Sequence, residues 1–234
     1  CIERYCENCN TQLIREKLSG VDMKKEITWT RWKRVEKLVG KKEIKKKVMD
    51  HVEEKGTVLD LVKILEEELH ELPQHLFIAH WQQNQVKKLT SSPPDGTLVI
   101  IQDFAQNLLC RFQNEPQSKF WDFKQVTIHP NICFYRCKNC KHVVKSEITA
   151  ISDDLCHDSD AVCEFLTSVL DNLKDAGQSF PRMICISDGC ARQYKSKEPF
   201  YHVPVGSRRL YFGTGHGKSL CDSAIGVLKK AAKK

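Results

Sequence analysis

The chain has 234 residues, of which 41% are hydrophobic and 29% are charged, and this composition is typical of globular proteins long enough to bury a sizeable core. No apolar run approaches the roughly 20 residues that a membrane-spanning helix needs, and residues 1–10 are too polar for a secretory signal. The net charge of +7 favours an anionic partner such as nucleic acid. Because the sequence begins with cysteine and ends with lysine, we expect a fragment of a longer protein.

Residues 1–92 are predicted to form a helical N-terminal lobe that carries a zinc knuckle at Cys1–Thr11. Glu26–Val35 alternates in the manner of a strand, whereas the highly charged stretch Val39–Glu54 is predicted to be helical. This charged stretch contains a lysine cluster, which we interpret either as the solvated face of a helix or as a patch that tracks phosphates: Lys41, Lys42, Lys45, Lys46 and Lys47.

Thr57 begins a clearer helix, since apolar residues follow it at spacings of three and four: Val58, Leu61, Val62, Leu65 and Leu69. Thr57 is its predicted N-cap, and Asp60 completes a pattern similar to a capping box. Pro73 is predicted to end this helix, and a second helix follows at Gln74–Leu89. The run Ser91–Gly96 is the strongest breaker in the chain, so it is the predicted boundary before a second domain at 97–234.

The pattern changes to strands after this boundary. The predicted strands are Thr97–Gln102, Gln125–Tyr135, Val143–Ser152, Arg182–Ser187 and Arg209–Gly213. The predicted helices are Asp160–Leu173 and Asp222–Lys230, and either Asp154 or Asp158 is expected to cap the first of them. This order predicts an α/β domain with a mixed five-stranded sheet flanked by helices.

Three aspartates occupy the ends of apolar runs. Asp103 ends the first strand of the sheet, Asp188 ends the fourth, and Asp222 opens the last helix. If the first and fourth strands are neighbours, their carboxylates lie side by side, and the helix start can bring the third across from them. Carboxylates are the hard oxygen ligands that Mg²⁺ or Mn²⁺ prefers, so we predict a metal site. Taken singly, Asp222 also suits a helix N-cap and Asp188 a turn.

Further runs around these aspartates are similar to a known family. They are HLFIAHWQQNQVKKL, QDFAQN, QNEP, QVTIHP, ISDDLCHD, ISDGCARQYKSK and GHGKSLCD, and they extend from about His75 to the last helix, roughly two thirds of the chain. Through them the chain resembles the RNase H-like catalytic core of DDE/DDD transposases and integrases, and specifically an uncharacterised family of eukaryotic transposon-derived proteins. The most specific block is SDGxxxQYK followed by HGKxxCD.

This resemblance implies that Asp103, Asp188 and Asp222 are the catalytic, metal-binding triad, although many transposases have glutamate at the third position. It implies metal-dependent DNA cleavage and strand transfer by two Mg²⁺ or Mn²⁺ ions about 4 Å apart. The implied substrate is transposon-end or target DNA in the nucleus, and a homodimer is compatible with it. Two alternatives stay open: a metal-dependent endonuclease that does not join strands, and a domesticated transposase that only binds DNA or protein.

Residues beside the triad are candidates for contact with DNA. The glycine-rich loop Gly213–Lys218 can approach a phosphate closely, with His216 and Lys218 as its polar groups, or it is an ordinary strand–helix loop. Gln193, Tyr194 and Lys195 suit contact with the DNA backbone and stacking on bases, or they form a surface turn.

Twelve cysteines are many for this length, and without an export signal they favour metal sites over disulfides. Cys6 with Cys9 and Cys137 with Cys140 are spaced as knuckles, and together they are predicted to hold one structural Zn²⁺. Such a site would staple the N-terminal lobe to the catalytic domain. A redox pair is the alternative, but no thioredoxin-like pattern surrounds either pair.

Overall fold

The computed structural model describes residues 13–39, 44–110, 116, 123–213 and 220–232. The chain divides into two compact units, Cys1–Phe77 and Ile78–Lys234. Within the described ranges, no helix combines the length and the apolar character that crossing a membrane requires.

The first unit contains a long two-stranded ribbon. Helix α1 (Leu13–Lys17) precedes strands β1 (Glu26–Val39) and β2 (Ile44–Thr57), which pair antiparallel along their whole length. The predicted strand is therefore confirmed and extended. The predicted helix at Val39–Glu54 is wrong, and so is the idea of a purely helical lobe.

Charge pairing across the ribbon explains this difference. Glu54 of β2 accepts ion pairs from Arg31 and Lys33 of β1, each at 2.9 Å, and Lys37 pairs with Asp50. Opposite charges on adjacent strands stabilise a sheet, and this non-local pairing overrides the local helix propensity of lysine and glutamate. Lys45, Lys46 and Lys47 are consequently exposed on a strand, and Lys41 and Lys42 lie outside the described residues.

Helix α2 runs without interruption from Val58 to Ser91. Its predicted capping box is confirmed, because the Thr57 backbone N–H donates to Asp60 Oδ2 at 2.9 Å and the Asp60 N–H donates to Thr57 Oγ1 at 3.2 Å. The predicted helix end at Pro73 is wrong. A proline removes one hydrogen bond and costs about 3 kcal/mol, whereas this helix is anchored on both sides of it by buried Val62 and Ala79.

The second unit is built on a mixed sheet. Its strands are β3 (Thr97–Gln102), β4 (Leu108–Leu109), β5 (Gln125–Arg136), β6 (Val143–Ser152), β7 (Arg182–Ser187) and β8 (Arg208–Tyr211). Strand β3 lies between β5, which is antiparallel to it, and β7, which is parallel to it. Strand β8 continues parallel to β7, while β6 and the short β4 pair antiparallel with β5. The predicted mixed α/β architecture is confirmed, but the sheet has six strands within the described residues rather than the predicted five, because the two-residue strand β4 also pairs with β5.

Helices cover both faces of this sheet: α3 (Ser159–Asp175), the short α4 (Lys197–Tyr201) and α5 (Leu220–Ala231). Leu98 and Ile100 of β3 pack with Leu166 of α3 on one face. Val99 and Ile101 pack with Cys221 of α5 on the other face, because side chains of a strand alternate. The predicted cap of α3 is confirmed at Asp158, whose carboxylate accepts the Ala161 N–H at 3.0 Å.

Candidate active site at the ends of the central strands

The first two candidate aspartates follow neighbouring parallel strands. Ile101 of β3 pairs with Ile186 of β7, and Asp103 and Asp188 each come two residues later. Since parallel strands end at the same edge of a sheet, both carboxylates leave the sheet at one edge. The expectation that the first and fourth strands of the domain are neighbours is confirmed.

Strand alternation also assigns these carboxylates to one face. Ile101 and Ile186 belong to the hydrophobic cluster that contains Cys221 of α5, and a continued period of two gives Asp103 and Asp188 the same face. The Cys221 thiol donates to the Ile101 carbonyl at 3.4 Å, which fixes the start of α5 against the end of β3. Asp222 follows directly in the first turn of α5.

Asp103 interacts electrostatically with the other two carboxylates. Burial, followed by the negative charges of Asp188 and Asp222, raises the pKa of Asp103 to about 6. Asp103 thus carries its charge in a partly desolvated place that already contains two like charges. Such an arrangement favours a bound cation, because a cation offsets all three charges together.

The arrangement is not that of a completed coordination sphere. Within the described parts of the chain, no three His, Cys, Asp or Glu side chains are grouped closely enough to hold a metal ion. Asp188 also has a structural task, since its Oδ1 accepts the Cys190 N–H at 3.1 Å in the turn after β7. The donor chemistry of Asp103, Asp188 and Asp222 nevertheless fits Mg²⁺ or Mn²⁺, which bind carboxylate oxygens.

A buried polar network lies behind this edge. Tyr194 is fully buried and its hydroxyl lies 3.0 Å from His129 Nε2, while Asn131 Nδ2 lies 3.2 Å from His129 Nδ1. Gln102 Nε2 donates to Asn131 Oδ1 at 3.1 Å. Burial lowers the pKa of His129 to about 3, so its ring is neutral. The network connects the last residue of β3 to the segment that follows Asp188.

The position of Tyr194 corrects one sequence-based prediction. Its burial leaves no free ring face for a DNA base, so the predicted stacking role is wrong. Burial, followed by the charges of Asp103 and Asp188, raises the pKa of its hydroxyl well above the usual value. Tyr194 is therefore a buried support close to the carboxylates rather than a DNA contact.

The other four predicted DNA contacts are not all described by the structure, and the two that are described differ in exposure. Lys195 is exposed, and its ammonium lies 4.7 Å from the centre of the Tyr211 ring and 2.9 Å from where a Cβ on Gly189 would be. It is thus next to the turn that carries Asp188, where a phosphate can reach it. Gln193 is half-buried in the same segment. His216 and Lys218 lie outside the described residues.

Some residues at this edge were not anticipated from the sequence. Phe104 stacks on His157 with ring centres 4.4 Å apart and meets His129 edge-on at 4.7 Å. Lys229 of α5 lines a cavity together with Asp103 and Asp222. The available signal for Lys229 was its spacing of seven residues from Asp222, which puts both on one face of a helix.

The second cysteine pair forms a tight loop between β5 and β6. The backbone N–H groups of Cys140 and Asn139, followed by the Cys140 side chain, lower the pKa of the Cys137 thiol. The Cys137 N–H donates to the His142 carbonyl at 2.9 Å, and Lys141 has a φ of 59° in the left-handed region. A thiol whose pKa is lowered by its neighbours, with a second cysteine three residues later in the same loop, suits thiolate binding of a metal. Cys6 and Cys9 lie outside the described residues.

The fold and this edge define a mixed α/β domain with three acidic side chains where its two central parallel strands end. Residues 82–234 match the family described as a domain of unknown function, DUF8701, and since the match covers more than half of the sequence, the chain belongs to that family. A search of curated proteins finds no significant match. The family match carries no activity and does not connect the chain to transposases.

Proposed function

We propose that this chain contains an RNase H-like catalytic domain that cleaves DNA and transfers strands with the help of Mg²⁺ or Mn²⁺. The observation that carries the proposal is the electrostatic coupling of Asp103 to Asp188 and Asp222 at one sheet edge. Like charges are seldom gathered in a partly buried place without a functional partner.

The sheet supports the fold assignment within this proposal. A central β3 has an antiparallel neighbour on one side and two successive parallel strands, β7 and β8, on the other. In open sheets with parallel strands, ligands bind outside the carboxyl ends of the strands. Asp103 and Asp188 directly follow those ends, which supports a substrate site beside them.

The proposed chemistry divides between a cation and the chain. Held by Asp103, Asp188 and Asp222, Mg²⁺ or Mn²⁺ when bound supplies Lewis-acid stabilisation of a phosphodiester and activates water or a DNA 3′-hydroxyl. The chain itself contributes attraction for DNA through its net charge of +7 and a phosphate contact at exposed Lys195. The buried pair His129 and Tyr194 holds the segment after Asp188 in place from behind.

An assay with end-labelled DNA and Mn²⁺ separates the three candidate functions. Strand-joined products are expected for a transposase, nicks without joining indicate the endonuclease, and binding without either product indicates a binding module. Transposon ends and unrelated DNA should be compared, because only a transposase is expected to distinguish them.

Asp188→Ala is expected to lower the rate of cleavage by at least about 100-fold. Loss of a residue that only orients a metal ligand costs about 10–100-fold in activity, and loss of the ligand itself should cost more. Asp171→Ala is the matched control, since Asp171 is exposed on α3 and takes no part in the sheet edge. Equal cleavage by both variants, with melting temperatures unchanged, would contradict the catalytic proposal.

We also propose that Cys137 and Cys140 bind a structural Zn²⁺ through their thiolates. Cys137→Ser is expected to reduce the zinc content of the purified chain from about one ion to near zero, because a structural zinc site built on thiolates tolerates little loss of donors. Atomic emission spectrometry gives this number. Cys156→Ser is the control, since Cys156 is exposed and belongs to neither pair. Retention of zinc by Cys137→Ser would remove Cys137 from the ligand set.

A further inference from the structure

A cavity of about 250 Å³ lies beside the candidate carboxylates. Asp103 and Asp222 line it on the acidic side, Phe104, Pro130 and Ile225 provide apolar surface, and Lys229 adds a positive charge. Typical pockets for free small molecules measure about 300–1,000 Å³, so this space suits one unit of a polymer better than a large independent ligand.

Helix α5 contributes two of the charged residues that line this cavity, Asp222 and Lys229. Asp222, Ile225 and Lys229 are spaced by three and four residues, so they share one face of the helix. Asp222 and Lys229 are about 10 Å apart along the axis, and the lysine side chain leans back toward the helix start. The Lys229 ammonium donates to the Gln106 carbonyl at 2.7 Å, in the segment that follows β3. A phosphate can replace this exposed carbonyl as the acceptor.

The apolar wall is packed against neighbouring side chains in the absence of a ligand. Phe104 is held between the rings of His157 and His129, at 4.4 and 4.7 Å between ring centres, and His157 Nε2 lies 3.1 Å from Thr127 Oγ1. A wall that is already ordered lowers the entropic cost of binding. Its surface suits a sugar and the edge of a base.

We propose that this cavity binds the nucleotide next to the scissile phosphate of a nucleic-acid strand. One phosphate lies at the carboxylates, where a divalent cation offsets the negative charge, and the neighbouring phosphate contacts Lys229. The sugar between them packs on the wall around Phe104. This inference rests on the proposed function, and it adds a second phosphate contact and a sugar-binding surface to the site.

The test uses calorimetric titration of the full chain with thymidine bisphosphate, a nucleoside that carries one phosphate on each sugar hydroxyl. Ca²⁺ is present, because it accepts oxygen ligands as Mg²⁺ does. Lys229→Ala is expected to weaken binding by about 10-fold, since a hydrogen bond between charged groups is lost. Lys229→Arg should bind within a few-fold of the original chain. Lys230→Ala is the matched control, because Lys230 is exposed and absent from the cavity lining.

A comparison with thymidine monophosphate tests the second phosphate directly. The original chain should prefer the bisphosphate by about 10-fold, and Lys229→Ala should lose this preference. No binding of the bisphosphate, or equal binding by Lys229→Ala and Lys230→Ala, would overturn the inference. The cleavage assay is a separate measurement: bisphosphate binding that depends on Lys229 in a chain that never cleaves DNA would refute the catalytic proposal and leave Lys229 as a phosphate contact of a binding site.

Discussion

Replacing Asp103 with asparagine is expected to stabilise the metal-free protein at about pH 8 and to abolish metal-dependent cleavage. The carboxyl of Asp103 has its pKa raised from 3.8 to about 6 by burial and by the charges of Asp188 and Asp222. Ionising this group therefore costs more in the folded protein than in the unfolded chain. Asparagine keeps the shape of the side chain and removes that cost.

The sign of the pH dependence follows from the raised pKa. The favourable contribution of the protonated carboxyl is fully present below about pH 3.8 and is lost as the pH rises through about 6. The difference between these two values corresponds to about 3 kcal/mol, and the solvent contact of half-buried Asp103 reduces the expected gain to about 1–2 kcal/mol. Asp103→Asn should therefore gain stability at high pH and little at low pH.

Urea denaturation in the presence of a chelator measures this gain at about pH 8 and again at about pH 4. Asp171→Asn is the control, because it removes an exposed carboxyl that belongs to helix α3 and not to the ends of the central strands. Added Mn²⁺ should stabilise the original chain and not Asp103→Asn, since the variant lacks one carboxylate ligand. An equal gain at both pH values would show that repulsion at this edge is not the cause.

The sequence predicted the two central strands of the second unit well because each is a short apolar run bounded by polar or turn residues. Thr97–Gln102 and Arg182–Ser187 agree residue for residue with β3 and β7. The ribbon strand β2 could not be recognised in the same way, because its lysines and acids have no apolar alternation and are paired by charges on β1. The prediction from Pro73 failed for a similar reason. The burial of Val62 and Ala79, on either side of this proline, keeps α2 continuous, and local sequence does not show that burial.

The candidate site was predictable where it depends on strand order. Asp103 and Asp188 needed only the inference that two apolar strands are parallel neighbours, and the pairing of β3 with β7 provides this. Tyr194 was not predictable, because its burial depends on His129, which lies 65 residues away in the sequence. A tyrosine next to lysine and glutamine has the local pattern of a surface turn, and nothing in that pattern shows which non-local partner covers it.

Tyr194→Phe is therefore expected to lower the free energy of unfolding by about 1–3 kcal/mol without weakening DNA binding. The substitution keeps the buried ring and removes the hydroxyl that lies 3.0 Å from His129 Nε2. His129 is itself fully buried, so its nitrogen loses a partner where no water can replace it. Chemical denaturation measures the loss, and Tyr201→Phe, at a tyrosine that is 87% exposed, should change nothing.

A double-mutant cycle assigns this loss to the pair rather than to the ring alone. His129→Gln and Tyr194→Phe should each destabilise, and the double variant should cost less than their sum, because both remove the same hydrogen bond. If Tyr194 stacked on DNA instead, Tyr194→Phe would leave stability unchanged, and only loss of the ring would weaken binding. Additive losses would show that Tyr194 and His129 stabilise the protein independently of each other. The segment after Asp188 would then have to be held by the Tyr211 hydroxyl, which donates to the Tyr194 carbonyl at 3.0 Å.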